Sequence, residues 1–218
     1  MTRYDRCERR RRSIRLAGYD YSQEGAYFVT ICANKRECLL GKVAGDAMWL
    51  GDTGRMVAAT WQELHLHYPG VDLDAFVIMP NHLHGIIILT VGAGPRACPT
   101  IAAGPRACPE SGQPQGVAPT EYLCLPDVVH RFKSLTTARY LLAVRAKRWP
   151  PFSGRLWQRN YYEHVIRNEE ELNKIRRYVW DNPLQWAFDR ENLGANRGVA
   201  RPGAPTDDIE KIFGGLRP

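Results

Sequence analysis

The stretch Val77-Ile78-Met79-Pro80-Asn81-His82-Leu83-His84-Gly85-Ile86-Ile87-Ile88-Leu89 limits the fold more than any other part of the chain. Pro80-Asn81 marks a turn, and the apolar runs on either side read as strands, so 72–79 and 82–89 form a hairpin. The isoleucines suggest a central strand covered on both sides. Because side chains alternate along a strand, one that starts at His82 turns His82 and His84 to the same face. Two adjacent imidazoles suggest a divalent metal, but two ligands make an incomplete site. Histidines at this spacing also occur on half-buried strands where they only satisfy hydrogen bonds, so the rest of the chain has to supply a third group.

At 218 residues, with 44% hydrophobic and 24% charged content, the chain has material for one globular domain with decorations. Its net charge of +7 is compatible with a polyanionic partner. Cys7, Cys32, Cys38, Cys98, Cys108 and Cys124 contain no CxxC pair and no regular framework, which argues against a zinc ribbon or a secreted disulfide fold. The N-terminus is charged with no apolar stretch behind it, and no run of 18 apolar residues occurs, so a soluble intracellular protein is expected.

Residues 1–16 form a basic arm, with Arg3, Arg6, Arg9, Arg10, Arg11, Arg12 and Arg15 against Asp5 and Glu8. Such a run is either solvated or laid against phosphates, which the planar guanidinium binds bidentately. Residues 26–32 are β-branched and aromatic and read as the first strand. From Asp52 or Thr53, apolar residues at three and four spacing predict a helix ending before Tyr68-Pro69-Gly70, with His65 and His67 solvated near its end rather than acting as ligands. Between Val91 and Thr120 the composition shifts to Gly, Pro, Ala and Ser. Ala-Gly-Pro-Arg-Ala-Cys-Pro occurs there twice, so 91–119 reads as a duplicated low-complexity loop. A second helix starts at Pro126-Asp127 and carries Arg131, Lys133, Arg139, Arg145, Lys147 and Arg148, either as a solvated face or as a backbone-binding surface. Residues 156–166 look extended, with Trp157 and Arg159 interleaved in a way that suits core packing or stacking on unpaired bases. Asn168 followed by Glu169, Glu170 and Glu171 signals the start of a last helix that stops before Pro183. Residues 191–218 are expected to be a mostly disordered tail.

The order strand, helix, strand, strand, helix, strand, helix is a ferredoxin-like βαββαβ α+β layout: an antiparallel sheet with helices on one face, plus an added C-terminal helix, over 17–190. On that added helix Leu172, Ile175 and Val179 define the buried stripe, while Tyr178 and Asn182 lie one turn apart along its flank. If the helix lies beside the histidine strand, Asn182 completes a three-ligand site with His82 and His84, and Tyr178 points into it. A divalent ion with open positions binds a phosphate as a Lewis acid while a phenolate attacks phosphorus. Lys174 could help to ionise Tyr178, although the position suits an ordinary exposed lysine better.

Met79-Pro80-Asn81-His82-Leu83-His84 resembles the histidine-hydrophobic-histidine motif of the HUH nucleases in the form found in single-tyrosine transposases. The resemblance extends to Arg12-Ser13-Ile14-Arg15-Leu16-Ala17-Gly18-Tyr19-Asp20-Tyr21, Phe132-Lys133-Ser134, Trp157-Gln158-Arg159-Asn160-Tyr161-Tyr162-Glu163-His164 and Tyr178-Val179-Trp180-Asp181-Asn182-Pro183. Together these motifs, over residues 12–190, are similar to the REP-associated tyrosine transposases, relatives of the IS200-like transposases. The resemblance implies Tyr178 as nucleophile, with His82, His84 and Asn182 as ligands of Mg²⁺ or Mn²⁺. Tyr161 and Tyr162 are competitors for the first role. It further implies a bacterial cytoplasmic protein that cleaves and rejoins single-stranded hairpin DNA of repetitive extragenic palindromes, leaving a 5′-phosphotyrosine and a free 3′ hydroxyl. Candidate DNA contacts are Arg11, Arg12, Arg15, Tyr19, Arg131, Lys133, Arg139, Trp157 and Arg159. A non-catalytic hairpin-DNA-binding protein and a phosphoesterase acting on a small ester remain open as alternatives, as does the choice between monomer and homodimer.

Overall fold

A computed structural model describes residues 19–90, 123–189 and 191–194. The basic arm, the duplicated loop and most of the tail lie outside the described residues.

The chain runs from strand β1 (Gly25–Cys32) through a short 3-10 turn (Asn34–Arg36) to a small ribbon of β2 (Gly41–Ala44) and β3 (Ala47–Leu50). Helix α1 (Asp52–Gln62) and a single helical turn, α2 (Leu64–His67), lead into the hairpin of β4 (Val71–Ile78) and β5 (His82–Leu89). After the undescribed loop come α3 (Leu125–Arg145), β6 (Tyr162–Ile166), α4 (Glu169–Asp181) and a 3-10 segment, Pro183–Phe188. Four strands form one antiparallel sheet in the order β4-β5-β1-β6, which is the expected ferredoxin-like topology. The ribbon between β1 and α1 is an addition that the sequence pattern did not predict.

The alternation of β1 and β5 assigns the two faces. Tyr27, Val29, Ile31, Leu83 and Ile87 face α1 and α3, where Trp61, Phe132 and Trp157 complete the larger core. Trp61 meets Phe132 edge to face at 5.3 Å between ring centroids. Gly85 makes that approach possible, because a Cβ there would lie 2.4 Å from the Trp61 ring. Phe28, Ile86 and Ile166 face the other way and pack with Ile175 and Val179 of α4 in a smaller cluster. α1 and α3 therefore cover one face and α4 the opposite one. The buried stripe expected on α4 is the one observed.

The Pro80-Asn81 turn is pinned by backbone, with the amides of Ala33 and Leu40 donating to the carbonyls of Asn81 and Pro80 at 2.7 and 3.0 Å. β5 consequently begins with His82 at a fixed level against β1. No helix of the described residues is long and apolar enough to cross a membrane.

Candidate active site

The register sets His84 opposite Thr30 and His82 opposite Cys32, and Thr30 is in turn opposite Tyr162 on β6. His84, Thr30 and Tyr162 thus form a row across three strands on the α4 face. Both histidines are buried. His84 Nδ1 lies 2.8 Å from the Thr30 hydroxyl, and His82 Nδ1 lies 2.8 Å from Asn81 Oδ1. The amide of Asn81 donates through Nδ2 to the carbonyls of Arg36 and Glu191, at 3.1 and 2.8 Å, which leaves Oδ1 as an acceptor. His82 therefore carries its proton on Nδ1, and its Nε2 presents a lone pair.

The two Nε2 atoms face each other at 3.0 Å. Nitrogens about 2.1 Å from one ion and this far apart subtend roughly a right angle, so the pair suits a shared cation. Burial, and secondarily the Arg36 charge, push the His82 pKa down to about 3, which keeps the ring neutral as a ligand must be.

α4 brings the tyrosine. Its N-terminus is fixed by Asn168, whose Oδ1 accepts from the Glu171 amide at 2.8 Å. Glu171 accepts from the amide of Arg167 and from His164 Nε2, which ties the helix to β6. Farther along, the Arg176 guanidinium donates to both oxygens of Asp74 on β4, at 3.0 and 2.6 Å, and so fixes the helix across the sheet. Tyr178 then lies with its hydroxyl 3.4 Å from His84 Nε2 and its ring 5.3 Å from the imidazole. One turn on, Asn182 ends α4 with 2% exposure, and its Oδ1 is buried without a hydrogen-bond partner. A buried amide oxygen left unpaired is costly and is of the type that serves a hard cation.

Two carboxylates join this group that the sequence reading missed. After the 3-10 segment the chain turns back, placing Asp189 Oδ2 3.8 Å from His82 Nε2; one donor atom from each of His82, His84 and Asp189 lies within 4.8 Å of the others. Glu191 accepts from Arg36 Nε at 2.7 Å and from the Cys32 thiol at 3.4 Å. These bonds hold the first residues of the expected tail against the site. A pocket of about 80 Å³ remains, lined by Thr30, His84, Tyr162, Tyr178, Asp189 and Glu191.

Several other candidates have internal roles. Lys133 Nζ donates to the carbonyls of Gln158, Arg159 and Asn160, at 3.0 to 3.3 Å, and burial draws its pKa down to about 8. Arg139 bridges α3 to α1 through Thr60 and Glu63. Trp157 is buried and donates to Thr136 Oγ1 at 2.8 Å, which does not suit base stacking. Lys174 pairs with Glu170 at 2.8 Å along the helix surface. Tyr19 packs edge-on against Tyr21, Arg131 is exposed over the Tyr68 ring, and Arg159 is exposed. His65 and His67 are exposed, as expected. Tyr161 packs on the α1/α3 side, while Tyr162 shares the pocket with Tyr178. Arg11, Arg12 and Arg15 lie outside the described residues.

No family model matches the chain. An uncharacterized protein of Haemophilus influenzae is 35% identical over 192 residues, covering 87% of this chain and 97% of that protein. The chain belongs to that protein's family. Two solved structures are also similar to it. A REP-associated tyrosine transposase bound to a REP hairpin has a TM-score of 0.48 and 18% identity, over 78% of this chain and 74% of that one. A candidate transposase from Deinococcus radiodurans R1 has a TM-score of 0.40 and 17% identity, over 77% and 95%.

Proposed function

We propose that this family is that of the REP-associated tyrosine transposases, and that the chain is a metal-dependent endonuclease and strand transferase for single-stranded hairpin DNA. The observation that carries the reading is the approach of the Tyr178 hydroxyl to His84 Nε2, 3.4 Å, where the paired Nε2 atoms of His82 and His84 stand 3.0 Å apart. The motifs quoted above supply the substrate class.

His82, His84 and Asn182 would hold a divalent ion, with the Asp189 carboxylate beside them. The donor set fits: two facing imidazole nitrogens, an unpaired buried amide oxygen and an acid. Mg²⁺ or Mn²⁺ bound there supplies a Lewis acid that polarises the scissile phosphate. Imidazole ligands favour Mn²⁺, and availability favours Mg²⁺.

Thr30 and Asn81 keep the two imidazoles oriented, so the ligands need no reorganisation. Tyr178, held by the Arg176–Asp74 pair and by the Phe28 and His84 rings, attacks phosphorus. Its phenol gives up a proton to water as the new O–P bond forms. The bond from phosphorus to the 3′ oxygen breaks, and that oxygen takes a proton. The products are a 5′-phosphotyrosine and a free 3′ hydroxyl; attack by another 3′ hydroxyl reverses the step and joins strands.

Hairpin DNA carrying a repetitive extragenic palindrome, incubated with the protein and Mn²⁺ or Mg²⁺, tests the reading. Cleavage is expected, and EDTA or the double replacement His82→Ala, His84→Ala should abolish it. Cleavage that persists in the double variant contradicts the metal role, and binding without any cleavage points to a DNA-binding protein that is not an enzyme.

A further inference from the structure

The ribbon of β2 and β3 stands outside the sheet yet is closely docked. A Cβ on Gly54 of α1 would lie 2.1 Å from the Leu40 carbonyl oxygen, so only glycine lets the helix approach the start of the ribbon. β3 also packs on Pro183–Phe188. That segment carries Trp186, whose ring lies 6.1 Å from His82, and leads to Asp189. The ribbon is thus continuous with the cover of the histidine site.

Alternation divides the ribbon's side chains. Val43, Met48 and Leu50 are partly covered, whereas Lys42, Ala44, Ala47 and Trp49 are exposed. Lys42 and Trp49 are directly opposed cross-strand partners, so their side chains share one face. Trp49 is 63% exposed, and Trp180 at the end of α4 and Leu184 on the adjoining segment are exposed as well. Indoles normally bury most of their surface, and one held in solvent by a docked ribbon beside an ammonium has the makeup of a nucleotide platform.

We infer that the Lys42–Trp49 face binds unpaired nucleotides of the strand processed at Tyr178, with a base stacked on the indole and a neighbouring phosphate met by the Lys42 ammonium. The inference rests on the DNA reading above and adds where the strand runs: from the tyrosine pocket, past Pro183–Phe188, onto the ribbon. Lys42 within the patch and the chain's net charge of +7 favour a polyanion over an apolar protein surface.

The test uses the full chain in EDTA, where no cleavage competes, and fluorescence anisotropy with two labelled hairpins. One hairpin is blunt and the other carries a single-stranded flank of about ten nucleotides, within the span of typical single-strand sites. Trp49→Ala should weaken binding of the flanked hairpin about tenfold and leave the blunt one unchanged. Trp49→Phe, which keeps a ring, should lose less. Lys42→Gln should reduce the slope of log affinity against log salt by about 0.7 for the flanked hairpin. Circular dichroism verifies that the variants fold. Equal affinity of Trp49→Ala and wild type for the flanked hairpin overturns the platform and leaves the strand-transfer reading intact. Wild-type protein that binds neither hairpin overturns both. If Trp49→Ala instead splits a dimer in sedimentation without altering DNA binding, the face belongs to a second copy and the platform is wrong.

Discussion

The two faces of the sheet are built from alternate residues of the same strands and serve opposite ends. Toward α1 and α3, β1 and β5 present Tyr27, Val29, Ile31, Leu83 and Ile87 to a large aromatic core around Trp61, Phe132 and Trp157. Toward α4 the same strands present Thr30, His82 and His84, with Phe28 and Ile86 packing on Ile175 and Val179. One face supplies apolar burial. The other buries polar groups and depends on directional bonds, namely the Arg176–Asp74 pair and the Asn168 cap, to fix its helix. Stability and chemistry are thereby separated by the pleat of the strand, and α4 can hold a site without carrying the fold.

Truncations on the two sides should differ accordingly. Phe132→Ala empties the larger core and should cost about 3–5 kcal/mol in urea unfolding. Ile175→Ala on the α4 side should cost about 2–3 kcal/mol, toward the low end for buried aliphatic residues, because its cluster is smaller. An equal or larger loss at Ile175 would break the division between the faces. Arg176→Ala leaves the mostly buried Asp74 without its fork and should cost about 1–2 kcal/mol. It should also reduce DNA cleavage through displacement of Tyr178, an effect that Phe132→Ala should lack in the protein that remains folded. Asn168→Ala, which removes the cap, should cost about 1 kcal/mol.

The polar face also predicts a direction with pH. The folded pKa of His82, about 3, lies below the ordinary value of 6.5, so the unfolded chain binds the extra proton first as pH falls. The stability contributed by neutral His82 is complete above about 6.5 and declines from there toward 3. Melting temperatures of His82→Gln and wild type across this window should show a shallower acid loss in the variant, and parallel curves would count against the burial argument.

How far the sequence was legible follows from range. The hairpin, the first strand and the α4 stripe are periodic patterns contained in single segments, and the observed elements match them within a residue or two. The ribbon was missed because its strands are four residues each and are held by docking on α1 through Gly54, a contact no local pattern announces. Asp189 and Glu191 were missed because Pro183 signals the end of a helix but not the return of the chain. That return depends on hydrogen bonds from Asn81 and Arg36, more than a hundred positions away. Lys133 looks like any surface lysine until the carbonyls of 158–160 converge on it. The histidines and Tyr178 were legible from spacing and motif, whereas the orientation of the imidazoles by Thr30 and Asn81 needed the strand register.

The most direct measurement is mass-spectrometric mapping of the protein after reaction with a hairpin substrate and Mn²⁺, for wild type and Tyr178→Phe. The account predicts a nucleotide phosphodiester on the peptide containing Tyr178 in wild type and no adduct in the variant. An adduct on Tyr162, which lines the same pocket, or an undiminished adduct in Tyr178→Phe, would contradict it.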